Sequence, residues 1–245
     1  MAEQKSFKER VKETVIQNAY SYKRYFVDYE YLLCSAAFVK NGYYIVSAYE
    51  DNYLHLTGLN TRLDATTFFD KCYNGNLEEH DFDFCKSGQS ESEVKGSVRR
   101  KINSLPSIMD IFNVGTFVEE DFEKNRIRCA LAAGNFSATL GFVVAGKAKP
   151  MTLLKGNELN SAKAKKLDLV LRRKSGESKF TEMLIGDARR LAEHREVLSA
   201  LLSEELLSLV VTNETTVAED EDVFEVSKRL LTQNQEGYEK LKNQS

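Results

Sequence analysis

From Thr116 to Ile185 the chain reads as strand after strand with hairpin punctuation, and no other feature constrains the fold as strongly. "RIRCALAAGNFSATLGFVVAG" carries a turn signal at Gly134-Asn135, and "PMTLLKG" follows it. "LDLVLRRKSGESKFTEMLI" then holds Ser175-Gly176 between two alternating arms. Small and amide residues at such points permit tight chain reversal, so neighbouring strands are expected to pair antiparallel. Leu167, Leu169 and Leu171 alternate with Asp168 and Val170, the pattern of a strand with one buried face. A second strand-rich stretch lies upstream. "YEYLLCSAAFV" and "YYIVSAYEDNYLHLTGL", joined by "KNG" at 40–42, predict a hairpin with His55 near the exit of its second strand.

Helical texture surrounds these blocks. Over residues 4–20, Phe7, Val11, Val15 and Ile16 form one apolar face. "LDATTFFDKCYNG" has helix punctuation, with Asp64 or Thr66 as cap and Gly75 as left-handed stop. "NLEEHDFDFCKSGQ" reads as an acidic, irregular loop. From Ser90 to Phe112, Val94, Val98, Ile102 and Leu105 recur at helical spacing until Pro106 bends or breaks the segment. Beyond Gly186, "DARRLAEHREVLSALLSEELLSLVV" and "VFEVSKRLLTQNQEGYEKLK" are helical patterns separated by an acidic stretch. The expected organisation is a helix at 1–19, an α+β domain at 20–185 built on a mainly antiparallel sheet with flanking helices, and an acidic helical appendage at 186–245.

Composition narrows the class. Hydrophobic residues make up 42% and charged residues 29%, a globular balance. No apolar run approaches the roughly 18 residues of a membrane span, and the charged, amphipathic start lacks a signal-peptide core. The expected location is the cytoplasm. Cys34, Cys72, Cys85 and Cys129 form no CxxC and no zinc-finger spacing, so they are read as reduced, buried thiols. Charge is uneven along the chain. Residues 147–180 hold ten basic and three acidic residues, a net of +7, whereas 181–245 hold seven basic and fourteen acidic, a net of −7. The first section suits a polyanion such as RNA; the second suits a protein partner or a cover for the basic section; either could also be a solvated face.

Chemistry is constrained by what is missing. The sequence has no P-loop, no GxGxxG after a strand, no HExxH and no GxSxG. Three scattered histidines and dispersed carboxylates give no metal-ligand cluster, so no metal or cofactor is expected. Metal-independent RNA cleavage fits the residues that remain. RNA supplies its own nucleophile, the 2′-hydroxyl; an enzyme adds a base, an acid and cations for the phosphorane.

One constellation points the same way. An aromatic-preceded His55-Leu56-Thr57-Gly58-Leu59 is followed, after a helical middle, by Thr152-Leu153-Leu154-Lys155 and Leu159. Over roughly 20–185 the chain resembles a phage and mobile-element subgroup of the barnase–EndoU–colicin E5/D–RelE-like fold, whose members are predicted nucleases. Some relatives carry a second histidine where this chain has Leu54, which bears on proton transfer. The resemblance implies a barnase/EndoU/RelE-type sheet with flanking helices. It also implies an endoribonuclease of phage, mobile-element or toxin type. His55 would be base or acid, and Thr152, Lys155 and Arg128 would stabilise the phosphorane with help from Thr57. Arg126 alternates with Arg128, while His80 and His194 are read as bystanders. Tyr43, Tyr44, Tyr49 and Tyr53 form either a base-stacking surface or core. The alternative is an inactive nuclease-like scaffold acting by protein binding, as a phage-encoded inhibitor or adaptor of host defence. A virion component is a third reading.

Overall fold

The computed structural model describes residues 5–113 and 115–210. It falls into two compact units, Met1–Asp187 and Ala188–Ser245. The first is an α+β fold. Its order is α1 (Phe7–Tyr22), a π-helical turn (Lys23–Val27), β1 (Tyr29–Cys34), β2 (Tyr44–Ser47), α2 (Asn52–Thr57), β3 (Asn60–Thr61) and α3 (Ala65–Tyr73). Then come β4 (Phe82–Asp83), α4 (Glu91–Ser104) and a 3-10 stretch (Leu105–Asp110). The strands β5 (Phe117–Lys124), β6 (Ile127–Gly134), β7 (Ala138–Ala145) and β8 (Lys147–Lys155) follow. β9 (Lys165–Lys166), β10 (Leu169–Lys174) and β11 (Glu182–Ile185) complete it.

Nine strands form one sheet in the order β11-β10-β1-β2-β8-β7-β6-β5-β9. Every pairing is antiparallel except β2 with β8, which meet in parallel at Val46 and Ala148. That junction joins the upstream hairpin to the downstream meander. The four helices of this unit pack on one sheet face. Val11, Val15, Tyr53, Leu56, Phe68, Phe69, Val94 and Val98 share a core with Leu33, Val46, Leu131, Leu140, Phe142 and Leu153. The first helix thus belongs to the same core as the sheet.

The local signals explain most of this. Ser6 caps α1 and Asp64 caps α3, each accepting from the backbone N–H three residues on. Gly75, at φ +73°, ends the turn after α3. In α4, Ser90 and Glu93 cap each other reciprocally, and Pro106 opens the tighter 3-10 stretch. The Gly134-Asn135 and Ser175-Gly176 turns join antiparallel pairs.

Three local expectations are corrected. β2 stops at Ser47, and residues 52–57 are helical, so His55 lies in a helix and not at a strand exit. The reason is spacing: Tyr53, Leu56 and Thr57 bury one helical face, and Asn52 Oδ1 accepts from Tyr49 N at 2.9 Å to turn the chain. Nor is the upstream connection a tight Asn-Gly turn. It is a loop held by Glu120, whose carboxylate accepts from the N–H groups of Val39 and Lys40 at 2.8 and 3.2 Å. The acidic stretch after α3 is also more ordered than expected. β4 pairs with β3, Phe82 and Phe84 are buried, and Lys71 donates to Asp81 at 2.8 Å.

β10 is buried on both faces, since Leu169, Val170 and Leu171 are all inaccessible. In the second unit the described helical segments are Ala188–Glu193, Arg195–Leu198, a 3-10 turn at Ser199–Leu201 and residues 204–210. The helix expected within 223–242, and the whole acidic stretch before it, lie outside the described residues. No helix among the described residues is long and apolar enough to cross a membrane.

Candidate functional site

The second signature lines one cleft, and the first is tied to a residue of its wall. The cleft has a volume of about 370 Å³ and is walled by the last turns of α4, the β5–β6 turn and the end of β8. Ser97, Arg100 and Lys101 come from α4; Lys124, Asn125 and Ile127 from the turn; Thr152, Leu153, Leu154, Lys155 and Glu158 from β8 and the chain just beyond. Four cations therefore surround one carboxylate. Glu158 takes a hydrogen-bonded ion pair with Lys124 at 2.8 Å, and its own N–H donates to Thr139 Oγ1 at 2.8 Å, which fixes this wall.

Lys101 is the pivotal side chain. Val94, Val98 and Ile102 anchor α4 in the core, so the intervening turn holds Lys101 half-buried against the cleft. Its ammonium donates to the carbonyl of His55 at 2.7 Å. Gly58, at φ +74°, closes α2 by donating its N–H to Leu54 O; a Cβ there would stand 2.7 Å from Lys101 Cδ. Glycine thus serves twice, as a left-handed cap and as a seat for the lysine stem. Burial, and after it the charge of Lys86, pull the Lys101 amine down to about 8. An amine titrating there can transfer protons near neutrality.

The expected site residues separate on this geometry. Thr152 and Lys155 line the cleft, Thr152 nearly buried and Lys155 exposed. Thr57 is buried and occupied by its own helix end, donating to Leu54 O at 2.8 Å and accepting from Leu59 N at 3.2 Å. His55 is exposed on the last turn of α2 and is not among the residues that line the cleft; its carbonyl accepts from Lys101, which is. Arg128 does not join the cleft. It pairs with Glu123 at 3.0 Å beside a separate depression with Asp121 and Cys129, whereas its neighbour Ile127 faces the cleft. Arg126 is exposed in the β5–β6 turn. His80 lies beside Glu78 at 3.1 Å, outside the cleft lining, and His194 starts a short helix of the second unit.

The basic 147–180 segment is not one surface. Lys147 and Arg173 both pair with Glu30, and Arg172 pairs with Glu182. The tyrosine run is divided: Tyr44 and Tyr53 are buried, Tyr43 is half-buried, and Tyr49 is exposed beneath the Lys149 ammonium, 4.7 Å from the ring centre. Cys34, Cys72 and Cys129 are buried and Cys85 is exposed, all unpaired. Among the described residues no group of three or more His, Cys, Asp or Glu side chains converges as a metal would require.

Arg100, Lys101, Lys124 and Glu158 were not anticipated. One signal was available for Lys101: it stands three residues after Val98 and four before Leu105, on the edge of the apolar stripe of α4. A lysine there is placed against the core and not in free solvent.

A family model described as phage-Barnase-EndoU-ColicinE5/D-RelE like nuclease4 matches residues 14–183, a span that contains every wall of the cleft. Comparison with curated proteins and with solved structures returns no match.

Proposed function

The chain belongs to the phage barnase–EndoU–colicin E5/D–RelE-like nuclease 4 family, and on that premise we propose that it is an endoribonuclease acting at the α4–β8 cleft. The observation that carries this reading is the convergence of Arg100, Lys101, Lys124 and Lys155 around one carboxylate, in a cleft lined by the second signature.

The residues divide the work as follows. Lys155, Arg100 and Lys124 hold the non-bridging oxygens of the scissile phosphate and take up the charge that grows in the phosphorane. Thr152 donates from the cleft floor. Glu158 accepts the proton of the 2′-hydroxyl as that oxygen attacks phosphorus. The Lys101 ammonium gives a proton to the departing 5′-oxygen. One P–O bond forms and one breaks, leaving a 2′,3′-cyclic phosphate and a 5′-hydroxyl, with no metal needed for either transfer. A phage, mobile-element or toxin setting accords with the family description.

The test is incubation of the full chain with total RNA and with DNA of matched length in EDTA, followed by analysis of the product ends. RNA fragments with 2′,3′-cyclic phosphate termini are expected, and DNA should remain whole. Cleaved DNA, or RNA ends bearing 5′-phosphate, contradicts the mechanism.

A second reading has one observation in its favour. The His55 imidazole is outside the cleft lining, so a cationic pocket that binds without turnover is consistent with the same geometry. In that case the protein acts by gripping an acidic partner, as an inhibitor or adaptor of a host defence protein would. Intact RNA after prolonged incubation, together with a stable complex, selects this reading.

A further inference from the structure

We propose that Phe136 is a base-stacking platform, and that the cleft accordingly takes RNA that is single-stranded next to the bound phosphate. The proposal rests on the nuclease reading above and adds to it the conformation of the substrate.

Phe136 is 96% exposed at the tip of the β6–β7 loop, more than any other large apolar side chain among the described residues. A ring so exposed contributes nothing to the core. Isolated apolar residues are common on surfaces, so exposure alone decides little; placement and rigidity decide more.

The loop is tied to the cleft wall. Asn135 Oδ1 accepts from the N–H groups of Ser137 and Ala138, both at 2.9 Å, and its amide donates to Ser107 O at 3.3 Å. Gly156 N donates to Ser137 O at 2.9 Å, binding the loop to the residue directly after Lys155. Ala138 is the cross-strand partner of Lys155. Phe136 therefore stands two residues, or about 7 Å of extended chain, from the partner of a cation in the cleft. An exposed aromatic ring on a tethered loop beside a phosphate-binding cation is a pairing with which proteins hold unpaired nucleotides, one group for the base and the other for the backbone. In a duplex each base is already stacked and its face is hidden.

The sequence contains no tryptophan, so Phe136→Trp installs a single tryptophan, excited selectively at the red edge where tyrosine does not absorb, at a site where the larger ring meets no packing. The full-length variant is titrated with a 2′-O-methyl hexanucleotide, which cannot be cleaved through its 2′ position, as a single strand and as a perfect duplex. Binding is followed in parallel by anisotropy of a label on the oligonucleotide. The expected result is tryptophan quenching by the single strand that saturates with the anisotropy, and none by the duplex. Phe136→Ala should weaken single-strand binding roughly five- to hundredfold. Binding without quenching, unchanged affinity in Phe136→Ala, or equal quenching by the duplex overturns the platform while leaving the phosphate cleft in place. Absence of binding by either form overturns the platform and the nuclease reading together.

Discussion

The Lys101 ammonium donates to the carbonyl oxygen of His55 across 2.7 Å, so α4 is tied to the first signature at the wall of the cleft. The motif thereby acts through its backbone. It presents one carbonyl to the lysine and, at Gly58, an open surface for the lysine stem.

This relationship sets His55 and Gly58 apart experimentally. His55→Ala keeps the carbonyl, and RNA cleavage should stay within about threefold of wild type, less than 1 kcal/mol of barrier. Gly58→Ala places a methyl group 2.7 Å from Lys101 Cδ at a left-handed backbone position. It should lower stability by about 1–2 kcal/mol and reduce cleavage more than that loss explains. Steady-state rates and chemical unfolding of both variants check the pair; a severe defect in His55→Ala with Gly58→Ala near wild type would reverse the assignment.

Lys101 also makes a prediction about pH. Its amine is lowered in the folded state to about 8, by burial first and the Lys86 charge second, from an ordinary 10.5. Between these values the unfolded chain binds more protons than the folded one, so stability rises with pH from about 8 to about 10.5. Lys101→Met removes that slope. If Lys101 is the proton donor, kcat/KM falls as pH climbs through about 8. Unfolding midpoints and rates across pH 7–10.5 measure both effects.

The buried ion cluster at Glu30 governs the acid side. Burial alone would raise this carboxyl, but Lys147, Arg173 and Ser47 hold it below its usual range. Its contribution is present above the unfolded value near 4.3 and is lost as pH falls through the lower folded value. Arg173 donates to Glu30 at 2.9 and 2.7 Å, is itself buried, and lies 4.3 Å over the Phe180 ring. Glu30→Gln leaves that guanidinium without its counter-charge, and a loss of about 3–5 kcal/mol is expected. Thermal unfolding should drop by roughly 10 °C, measured by circular dichroism.

How much of this was legible follows from where each signal lives. Period-two alternation and turn residues marked the strands from Phe117 to Ile185, and a cap at Asp64 and the helical spacing of Val94, Val98 and Ile102 marked two helices, because these signals are local. His55 was misplaced because a six-residue helix with tyrosine and leucine at its buried positions also reads as a strand end. Thr152 and Lys155 stand together in one short motif, and both line the cleft. Arg100, Lys101, Lys124 and Glu158 come from separate elements that only the tertiary fold brings together. Charge counted along the chain misled for the same reason: Lys147 and Arg173 are neutralised by Glu30, more than a hundred residues away.

The most direct measurement is the single-turnover rate at which the full chain cleaves a labelled single-stranded RNA in EDTA, compared between wild type and Lys101→Met. Methionine retains the aliphatic reach and removes the ammonium. Wild type should cleave, and the variant should be about 10²–10⁴-fold slower with its fold intact by thermal unfolding. An inert wild type, or a variant that cuts as fast as wild type, would contradict an RNA-cleaving cleft built around Lys101.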